Sequence, residues 1–451
     1  MKINKKDLIV NPKVSNRLPK INVNPKTAAK HRINTYDDAR EFVKGCSGGN
    51  IELGLENVRN LLDKLNNPQE SQSIIHVAGT NGKGSTIAFI KSIFEKAGLK
   101  VGCFTSPAVF SYEEMFYANK EFIKSDEYTE IVAEVAEKYD ELINEGRYSP
   151  TTFEVEVAIA FLFFKMKRCD VVIIETGMGG SLDATNIIAR PVCSVITSIS
   201  MDHSAYLGNN LKDIAKAKAG IIKFGLPCFS AVQKDEVKEV LEEVAKDRLT
   251  TVKFVEEDEN IDVNDFNLKG TFQCSNASLA KEVAIYVFES ILGNSYLGMK
   301  DYFDEIINSG LKEAINPGRF EKIKDNPIII LDGAHNEDAA LKLSDSIDKY
   351  FKDRNIYMIM GILKDKDYKR ISEILANKAK SINVVRPHNS RGLDCSILEE
   401  EVSKYCNDTK SFESYEDAVK DIMGKNTDDG IIVICGTLSF LGEIKEIINC
   451  L

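Results

Sequence analysis

A glycine-rich turn between a β-branched run and a helical pattern constrains the fold of this chain more than any other segment. The run covers residues 73–77, and helical spacing begins at Thr86. The turn comprises Gly79, Thr80, Asn81, Gly82, Lys83, Gly84 and Ser85. Glycines let backbone N–H groups face an anion, while the helix N-terminus and one lysine add positive potential. The pattern predicts a strand–loop–helix site for a nucleoside triphosphate, with an ordinary glycine turn as the alternative.

This turn departs from the strict G-x-x-x-x-G-K-[ST] pattern of nucleotide-binding loops. Gly79 and Gly82 lie too close together, and Gly84 follows Lys83 where Ser or Thr is expected. Hydroxyl groups come one and two positions late, at Ser85 and Thr86. Because glycines, lysine, hydroxyls and flanking periodicity coincide, a nucleotide site remains the favoured interpretation.

Length and composition limit the class of protein. A chain of 451 residues predicts two or three domains with ample core. The net charge of −11 argues against a broad nucleic-acid surface, although a local basic pocket for anionic ligands stays open. No run reaches the roughly 18 apolar residues that span a bilayer, and the basic start lacks the apolar stretch of a secretory signal. Ten cysteines without a C-x-x-C pair favour reduced thiols in a cytoplasmic protein.

Alternating strand and helix patterns predict an α/β protein with two doubly wound units. Residues 1–30 are polar and contain three prolines, which indicates an N-terminal extension. We expect a first domain over 31–318, a linker over 319–326 and a smaller second domain over 327–451.

The element predictions follow from apolar spacing. In the first domain, helices are predicted over 51–65 and 151–167, and interior parallel strands over 100–104, 170–175, 192–197 and 227–230. In the second domain, strands over 328–331, 356–360, 382–385 and 430–435 alternate with helices over 337–350, 366–378, 396–405 and 441–448.

Several polar side chains of the first domain are candidates for chemistry, each with a structural alternative. Glu175 ends a buried strand beside a second glycine loop, where it could hold a magnesium water or serve in a turn. Glu154 stands at a helix start, where the helix dipole alone favours a carboxylate. By residue type alone, His203 is a loop histidine, and Lys218 is a solvated lysine in an alanine-rich stretch.

The second domain opens with polar residues at the carboxyl end of its first strand. Asp332, His335 and Asn336 stand where ligands bind in open α/β sheets, or else they serve as turn residues. Arg319 follows Asn316-Pro-Gly at the expected hinge. A planar, always-charged donor fork suits a triphosphate held across a domain cleft, and a surface arginine is the alternative.

Taken together, these motifs resemble the folylpolyglutamate synthase/dihydrofolate synthase family of Mur-type amide ligases. The matching segments, in order, are 76–85, 105–107, 152–154, 175–186, 202–203, 207–208, 218–220, 273, 276–277, 317–319, 332–336 and 365–367. The resemblance implies a P-loop-type ATPase domain with a mainly parallel central sheet, followed by a smaller Rossmann-like domain. So many ordered matches make it far more specific than any single motif.

The resemblance also implies roles for individual residues. ATP would be bound by the loop residues Gly79 to Ser85, with Lys83 also catalytic, and by Asn276, Arg319 and Asp332. Magnesium would be ligated by Ser106, Glu154, His203 and Lys218, the last as a carbamylated lysine with anionic oxygens. His335 would lie near the amino-acid substrate.

The implied reaction joins L-glutamate to a folate-type carboxylate through an acyl phosphate, and releases ADP and phosphate. Its acceptor would be dihydropteroate, a tetrahydrofolate polyglutamate or both, and the chain is expected to act as a monomer. Positioning and charge stabilisation by magnesium and Lys83 would dominate catalysis. Closure of the second domain over the first would exclude water from the acyl phosphate.

Departures from the family pattern leave two rival interpretations. Ala108 and Met115 replace a usual histidine and arginine, Ala217 replaces a usual glutamate, and Thr437 replaces a usual serine. One rival is a Mur-type ligase acting on a non-folate acceptor, although muropeptide ligases usually carry Lys-Thr-Thr in the loop. The other rival is a nucleotide-binding protein with a degenerate acceptor site.

Overall fold

Residues 31–46, 54–147, 149–293, 295–426 and 430–451 are described in this computed structural model. The predicted extension over 1–30 lies outside these ranges, as do Ile51 and Leu53 of the first predicted helix. The described part of that helix begins at Glu56. Within the described ranges, no helix has the length and apolar character needed to cross a bilayer.

Short, buried strands build the first sheet. In chain order they are β1 (Ile74–Ala78), β2 (Val101–Phe104), β3 (Phe116–Ala118), β4 (Glu121–Phe122), β5 (Val171–Glu175), β6 (Cys193–Ile196), β7 (Cys228–Ala231) and β8 (Val252–Val255). Across the sheet the order is β4-β3-β2-β5-β1-β6-β7-β8. The six strands β2-β5-β1-β6-β7-β8 pair in parallel with their neighbours. Strands β3 and β4 add an antiparallel edge beside β2. The four interior strands predicted from apolar runs are confirmed.

Helices cover both faces of this sheet. They are α1 (Tyr36–Gly45), α2 (Glu56–Lys64), α3 (Lys83–Lys96), α4 (Ser125–Asn144), α5 (Thr152–Lys167), α6 (Ser204–Leu207), α7 (Leu211–Ala219), α8 (Asp235–Asp247), α9 (Gln273–Leu292), α10 (Ser295–Gly298) and α11 (Lys300–Glu313). Successive β5 side chains point to opposite faces: Val172 packs with α1, α2, α4 and α5, and Ile173 packs with α3, α9 and α11. Burial on both faces explains why these strands read as continuous apolar runs.

A second sheet follows with the same layering. Its strands are β9 (Glu321–Asp325), β10 (Ile328–Asp332), β11 (Ile356–Met360), β12 (Ser381–Val385), β13 (Thr409–Phe412) and β14 (Ile431–Cys435), in the order β13-β12-β11-β14-β10-β9. Its helices are α12 (Glu337–Tyr350), α13 (Tyr368–Ala376), α14 (Cys395–Val402), α15 (Tyr415–Lys425) and α16 (Leu441–Cys450). All pairs are parallel except β9 with β10. The α/β prediction with two mainly parallel sheets is confirmed.

The predicted linker over 319–326 needs correction. Residues 321–325 form β9, which pairs antiparallel with β10 as an edge strand of the second sheet. The second unit therefore begins several residues before 327. Its sequence, Glu-Lys-Ile-Lys-Asp, is only half-buried and contains no continuous apolar run, so pairing with β10 makes it a strand.

Candidate active site

A cavity of about 730 Å³ lies between the two sheets, at the carboxyl ends of their parallel strands. Ligands bind at this edge in open α/β folds because loops and helix N-termini converge there. The predicted site residues that line it are Gly79, Thr80, Asn81, Gly82, Lys83, Gly84, Ser85, Ser106, His203, Lys218, Asn276, Arg319, Asp332 and His335. These residues are spread over more than 250 positions of the sequence, and the fold brings them together in one cleft.

The phosphate loop connects β1 to the N-terminus of α3 and requires glycine at two points. Gly79 and Gly82 have φ angles of 154° and 89°, in the left-handed region. A Cβ atom on Gly79 would lie 1.8 Å from the Thr197 hydroxyl oxygen, and one on Gly82 would lie 2.4 Å from the Asn276 amide oxygen. The loop therefore packs closely against the end of β6 and against α9, and neither glycine position has space for a side chain.

Lys83 and Glu175 face each other across the cleft floor. The Lys83 ammonium donates to the carbonyl oxygens of Gly79 and Thr80, each at 3.2 Å, and lies 3.7 Å from the Glu175 carboxylate. The Ser106 backbone N–H donates to the other oxygen of Glu175 at 3.3 Å. Burial raises the pKa of Glu175, and the positive charges of Lys83 and Arg319 oppose this rise. An added cation would favour the ionised carboxylate.

Lys218 is buried rather than solvated. It lies in the last turn of α7, and its Nζ donates to the Gly79 carbonyl oxygen at 2.8 Å. Burial, with a smaller effect from the Lys83 charge, lowers its pKa to about 7. A neutral amine is thus accessible near physiological pH, which is the form that reacts as a nucleophile. The solvated-lysine alternative is wrong.

Asp202 joins the two domains at the centre of the cleft. Its carboxylate accepts from the Lys366 ammonium at 2.5 Å and from the Asn336 amide at 3.3 Å. His335 Nε2 lies 3.6 Å from it, and His203 Nε2 lies 3.8 Å from it. Burial alone would raise the pKa of Asp202, but the His335 hydrogen bond and the Lys366 charge outweigh it and lower the pKa. This carboxylate therefore stays ionised and anchors groups from the second domain.

His203 is neutral at physiological pH. It has a left-handed φ of 51° immediately before α6. Burial lowers its pKa to about 4, despite the opposing charge of Asp202. A neutral imidazole keeps a lone pair that can ligate a metal ion.

Arg319 and Asp332 are two of the charged residues that line the cleft on the second-domain side. The Asp332 carboxylate accepts from the backbone N–H groups of Phe320 and Ala334, at 2.9 and 2.8 Å. Burial raises the pKa of Asp332 to about 6, although the nearby Arg319 charge acts in the opposite direction. His335 Nδ1 lies within hydrogen-bond distance of the Gly333 carbonyl oxygen, at 2.8 Å. This contact directs His335 Nε2 toward Asp202.

Glu154, a predicted metal ligand, is buried at the start of α5. Its Oε2 atom accepts from the backbone N–H and the hydroxyl of Thr151, at 2.7 and 2.9 Å, in a capping box. Its role as a metal ligand stays a prediction. Glu175, which ends β5, supplies a carboxylate in the cleft lining, where the Ser106 backbone N–H donates to it.

Several contacts that meet in the cleft were not predicted from the sequence. Asp202 and Lys366 lie in matched motifs but are far apart in the chain, so their ion pair had no local signal. Asn81 and Asn336 exchange two amide hydrogen bonds across the domains, at 3.1 and 3.0 Å. Asn336 also caps α12, because its side-chain oxygen accepts from the Ala339 N–H at 2.9 Å.

The donor groups in the cleft fit a magnesium ion. Among the described residues, no group of three or more His, Cys, Asp and Glu side chains is arranged to hold a metal by itself. Magnesium commonly takes one or two carboxylates and completes its shell with water and substrate phosphate oxygens. One carboxylate, Glu175, with Ser106 and His203 in the lining of the same cleft, therefore suits a metal held together with a nucleotide.

Comparison with known proteins agrees with this geometry. Residues 77–295 match the Mur ligase middle domain, and residues 318–438 match the Mur ligase glutamate ligase domain. The dihydrofolate synthase/folylpolyglutamate synthase of Bacillus subtilis is 33% identical over 439 residues, covering 91% of this chain and 98% of the relative.

Two solved structures are similar over most of their length. Escherichia coli FolC in complex with DHPP and ADP has a TM-score of 0.78 and 26% identity, covering 92% of this chain and 98% of that one. The bifunctional folylpolyglutamate synthase/dihydrofolate synthase of Yersinia pestis, complexed with AMPPNP and Mn ion, has a TM-score of 0.76 and 25% identity, with the same coverage.

Two α/β domains that enclose a phosphate loop, a buried lysine and convergent charged groups define a nucleotide-dependent acid–amino-acid ligase of the Mur type. Within that class, the chain belongs to the folylpolyglutamate synthase/dihydrofolate synthase family.

Proposed function

We propose that this chain uses ATP to join L-glutamate to a folate-type carboxylate, either dihydropteroate or a tetrahydrofolate carrying glutamates. The observation that carries the proposal is the single cleft in which Lys83, Glu175 and Lys218 of the first domain meet Arg319 and His335 of the second. Relatives named for both folate activities, and a similar structure with DHPP and ADP, support this substrate class.

The nucleotide phosphates are proposed to lie on the N-terminus of α3. The backbone N–H groups of Thr80 and Asn81 already donate to the Ser198 carbonyl oxygen, at 2.8 and 3.3 Å. The backbone N–H groups at the start of α3, together with the Lys83 ammonium, are therefore the groups proposed to bind the phosphates. Asn276 approaches from α9, and Arg319 and Asp332 from the second domain.

A divalent ion such as magnesium is proposed to be held by Ser106, Glu175, His203 and Lys218. When bound, it offsets charge on the phosphates during phosphoryl transfer. As a plain cation, Lys218 would repel it, so we propose that this lysine is carbamylated. Its neutral amine attacks CO₂, an N–C bond forms, and a proton leaves to give an anionic carbamate.

The order of events follows from the residues available. The acceptor carboxylate attacks the γ-phosphorus, the bond to ADP breaks, and Lys83 stabilises the negative charge that moves onto the β–γ oxygens. The amine of glutamate, placed near His335, then attacks the acyl carbon, and phosphate leaves as the amide forms. The Lys366–Asp202 and Asn81–Asn336 contacts hold the domains together and keep water from the acyl phosphate.

Monomeric action is part of the proposal, because residues of one chain line the whole cleft. Size-exclusion chromatography with light scattering, at assay concentration, tests it. A stable dimer of full activity would contradict it.

The test of the function is an acceptor screen. Purified protein receives ATP, magnesium and L-glutamate with dihydropteroate, with a tetrahydrofolate, or with no acceptor, and phosphate release is measured. We expect release that depends on both glutamate and a folate-type acceptor. Release only with a non-folate acceptor would favour another Mur-type ligase, and no release with any acceptor would favour a nucleotide-binding protein.

A further inference from the structure

Ser85 is the point where the phosphate loop meets two other segments of the chain. Its side chain is only 2% exposed and lies at the cleft wall. Its oxygen accepts from the Gln273 amide of α9 and from the Asn316 amide, each at 3.3 Å. Gln273 is fully buried and is itself oriented by Asn276, which donates to its carbonyl oxygen at 2.9 Å. The two amide donors therefore have fixed directions.

This arrangement determines what the Ser85 hydroxyl can do. A hydroxyl group has one proton to donate and two lone pairs to accept with. Since Gln273 and Asn316 both donate to it, the remaining capacity of Ser85 is its proton. A donor at the start of α3 is what a phosphate oxygen requires, and hydrogen bonds to anionic oxygens are the stronger kind.

Asn316 also accounts for the unusual glycine after Lys83. Asn316 directly precedes Pro317 in the inter-domain segment, residues 314–320, which connects α11 to β9. A Cβ atom on Gly84 would lie 3.2 Å from the Asn316 Nδ2 atom and 3.7 Å from its Oδ1 atom. A Ser or Thr side chain at this position, as in the strict loop pattern, would therefore press on the Asn316 amide. In this chain the loop hydroxyl comes one position later, at Ser85.

We propose that Asn316 is a positioning residue for the nucleotide, acting through Ser85. Its amide orients the Ser85 hydroxyl proton toward the phosphates and takes the space that Gly84 leaves open. The inter-domain segment therefore forms part of the phosphate loop's support. This inference rests on the proposed function, since it concerns the same nucleotide site.

The first test compares substitutions at Asn316 by calorimetric titration with magnesium and ADP, using the full chain. Asn316→Ala should weaken ADP binding about five-fold, the effect of one lost hydrogen bond. Asn316→Asp keeps the shape but should weaken binding at least ten-fold, because a carboxylate captures the Ser85 proton and repels the phosphates. Asn316→Ser retains a donor and should bind better than Asn316→Ala.

Kinetics and stability separate positioning from folding. The KM for ATP should rise more than kcat falls, while the unfolding temperature without nucleotide stays near that of the wild type. Asn316→Asp binding as tightly as the wild type would overturn the proposal, because a packing role alone predicts that result. If Asn316→Asp does not fold, equal affinities of the Ser and Ala variants would overturn it.

The second test is a double-mutant cycle with Gly84. Gly84→Ala should weaken ADP binding by pressing on Asn316, and the added Asn316→Ala change should restore part of that loss. Fully additive effects would contradict the contact. Wild-type protein that does not bind ADP would instead refute the proposed nucleotide site, so the two failures are distinguishable.

Discussion

Two glutamates of the first domain stand at the ends of secondary-structure elements, and Glu175 is the one that lines the cleft. One carboxylate oxygen of Glu154 accepts two hydrogen bonds from Thr151 in the cap of α5, where the helix dipole also favours an anion. Glu175 ends β5, and the carboxyl end of a parallel strand points into the site. Residue type and motif membership are the same for both, so position in the tertiary structure separates them.

An isosteric pair tests this difference. Glu175→Gln should lower kcat/KM about 100-fold or more, since it removes the anion that faces Lys83 and that is proposed to hold the metal ion. Glu154→Gln should stay within about three-fold of the wild type, because glutamine serves equally in a capping box. Steady-state phosphate release measures both. If Glu154→Gln loses activity while Glu175→Gln stays active, Glu154 is the carboxylate that ligates the metal, as the family resemblance implies.

Lys218 gives a second prediction at this scale. Lys218→Ala should lose about 100-fold or more in kcat, and added short carboxylates should restore part of the activity by replacing the oxygens of the proposed carbamate. The matched control is Lys216→Ala, since Lys216 lies on the same helix but is exposed. Full activity of Lys218→Ala would show that the lysine carries no ligand role.

At the scale of elements, apolar runs located interior strands of both sheets and apolar spacing located several helices, but α4 and α11 were not predicted. The helix over 337–350 and the strand over 356–360 coincide with α12 and β11. Two partly exposed strands, β9 and β13, were not predicted. Their residues are only half-buried, and polar and apolar side chains do not alternate clearly along them. Their pairing with neighbouring strands, rather than their own composition, makes them part of the sheet.

Helix α5 carries a buried carboxyl group whose pH response can be predicted. Burial raises the pKa of Glu156 to about 7, although the Tyr112 hydroxyl donates to it at 2.9 Å. The folded protein then binds a proton that the unfolded chain releases above about pH 4.5. This stabilising contribution is complete below pH 4.5 and is lost as the pH rises through about 7.

Glu156→Gln removes that titration while keeping an acceptor for Tyr112. Relative to the wild type, its free energy of unfolding should rise by about 2 kcal/mol between pH 4.5 and pH 8. Urea unfolding at both pH values measures the difference, and Glu134→Gln, at an exposed site on α4, is the control. A pH-independent difference would contradict the buried-carboxyl account.

At the scale of the whole molecule, the two domains meet through buried polar contacts. The Lys366 and Asp202 side chains are only 7% and 8% exposed, and they come from different domains. The reciprocal Asn81–Asn336 pair lies beside them. A buried ion pair gives little net stability, but removing one partner is costly because the other charge remains unpaired. These contacts therefore select one domain arrangement.

Lys366→Met should destabilise the protein by about 3 kcal/mol and lower kcat, because Asp202 loses its main counter-charge. Thermal unfolding and single-turnover phosphate release measure the two effects. Lys369→Met, at an exposed position on α13, is the matched control. Combining Lys366→Met with Asp202→Asn should cost less stability than the two single changes together, and simple additivity would argue against the pair.

Local spacing and an ordered set of motifs were enough to predict the α/β class, the phosphate loop, the family and fourteen of the residues that line the cleft. Only the packed structure shows that Glu175 faces the cleft, that Lys218 is buried, where the second sheet begins, and that a side chain at Gly84 would press on Asn316. Such features depend on contacts between residues tens to hundreds of positions apart. Burial, which shifts a pKa or requires a glycine, exists only once those segments have packed together.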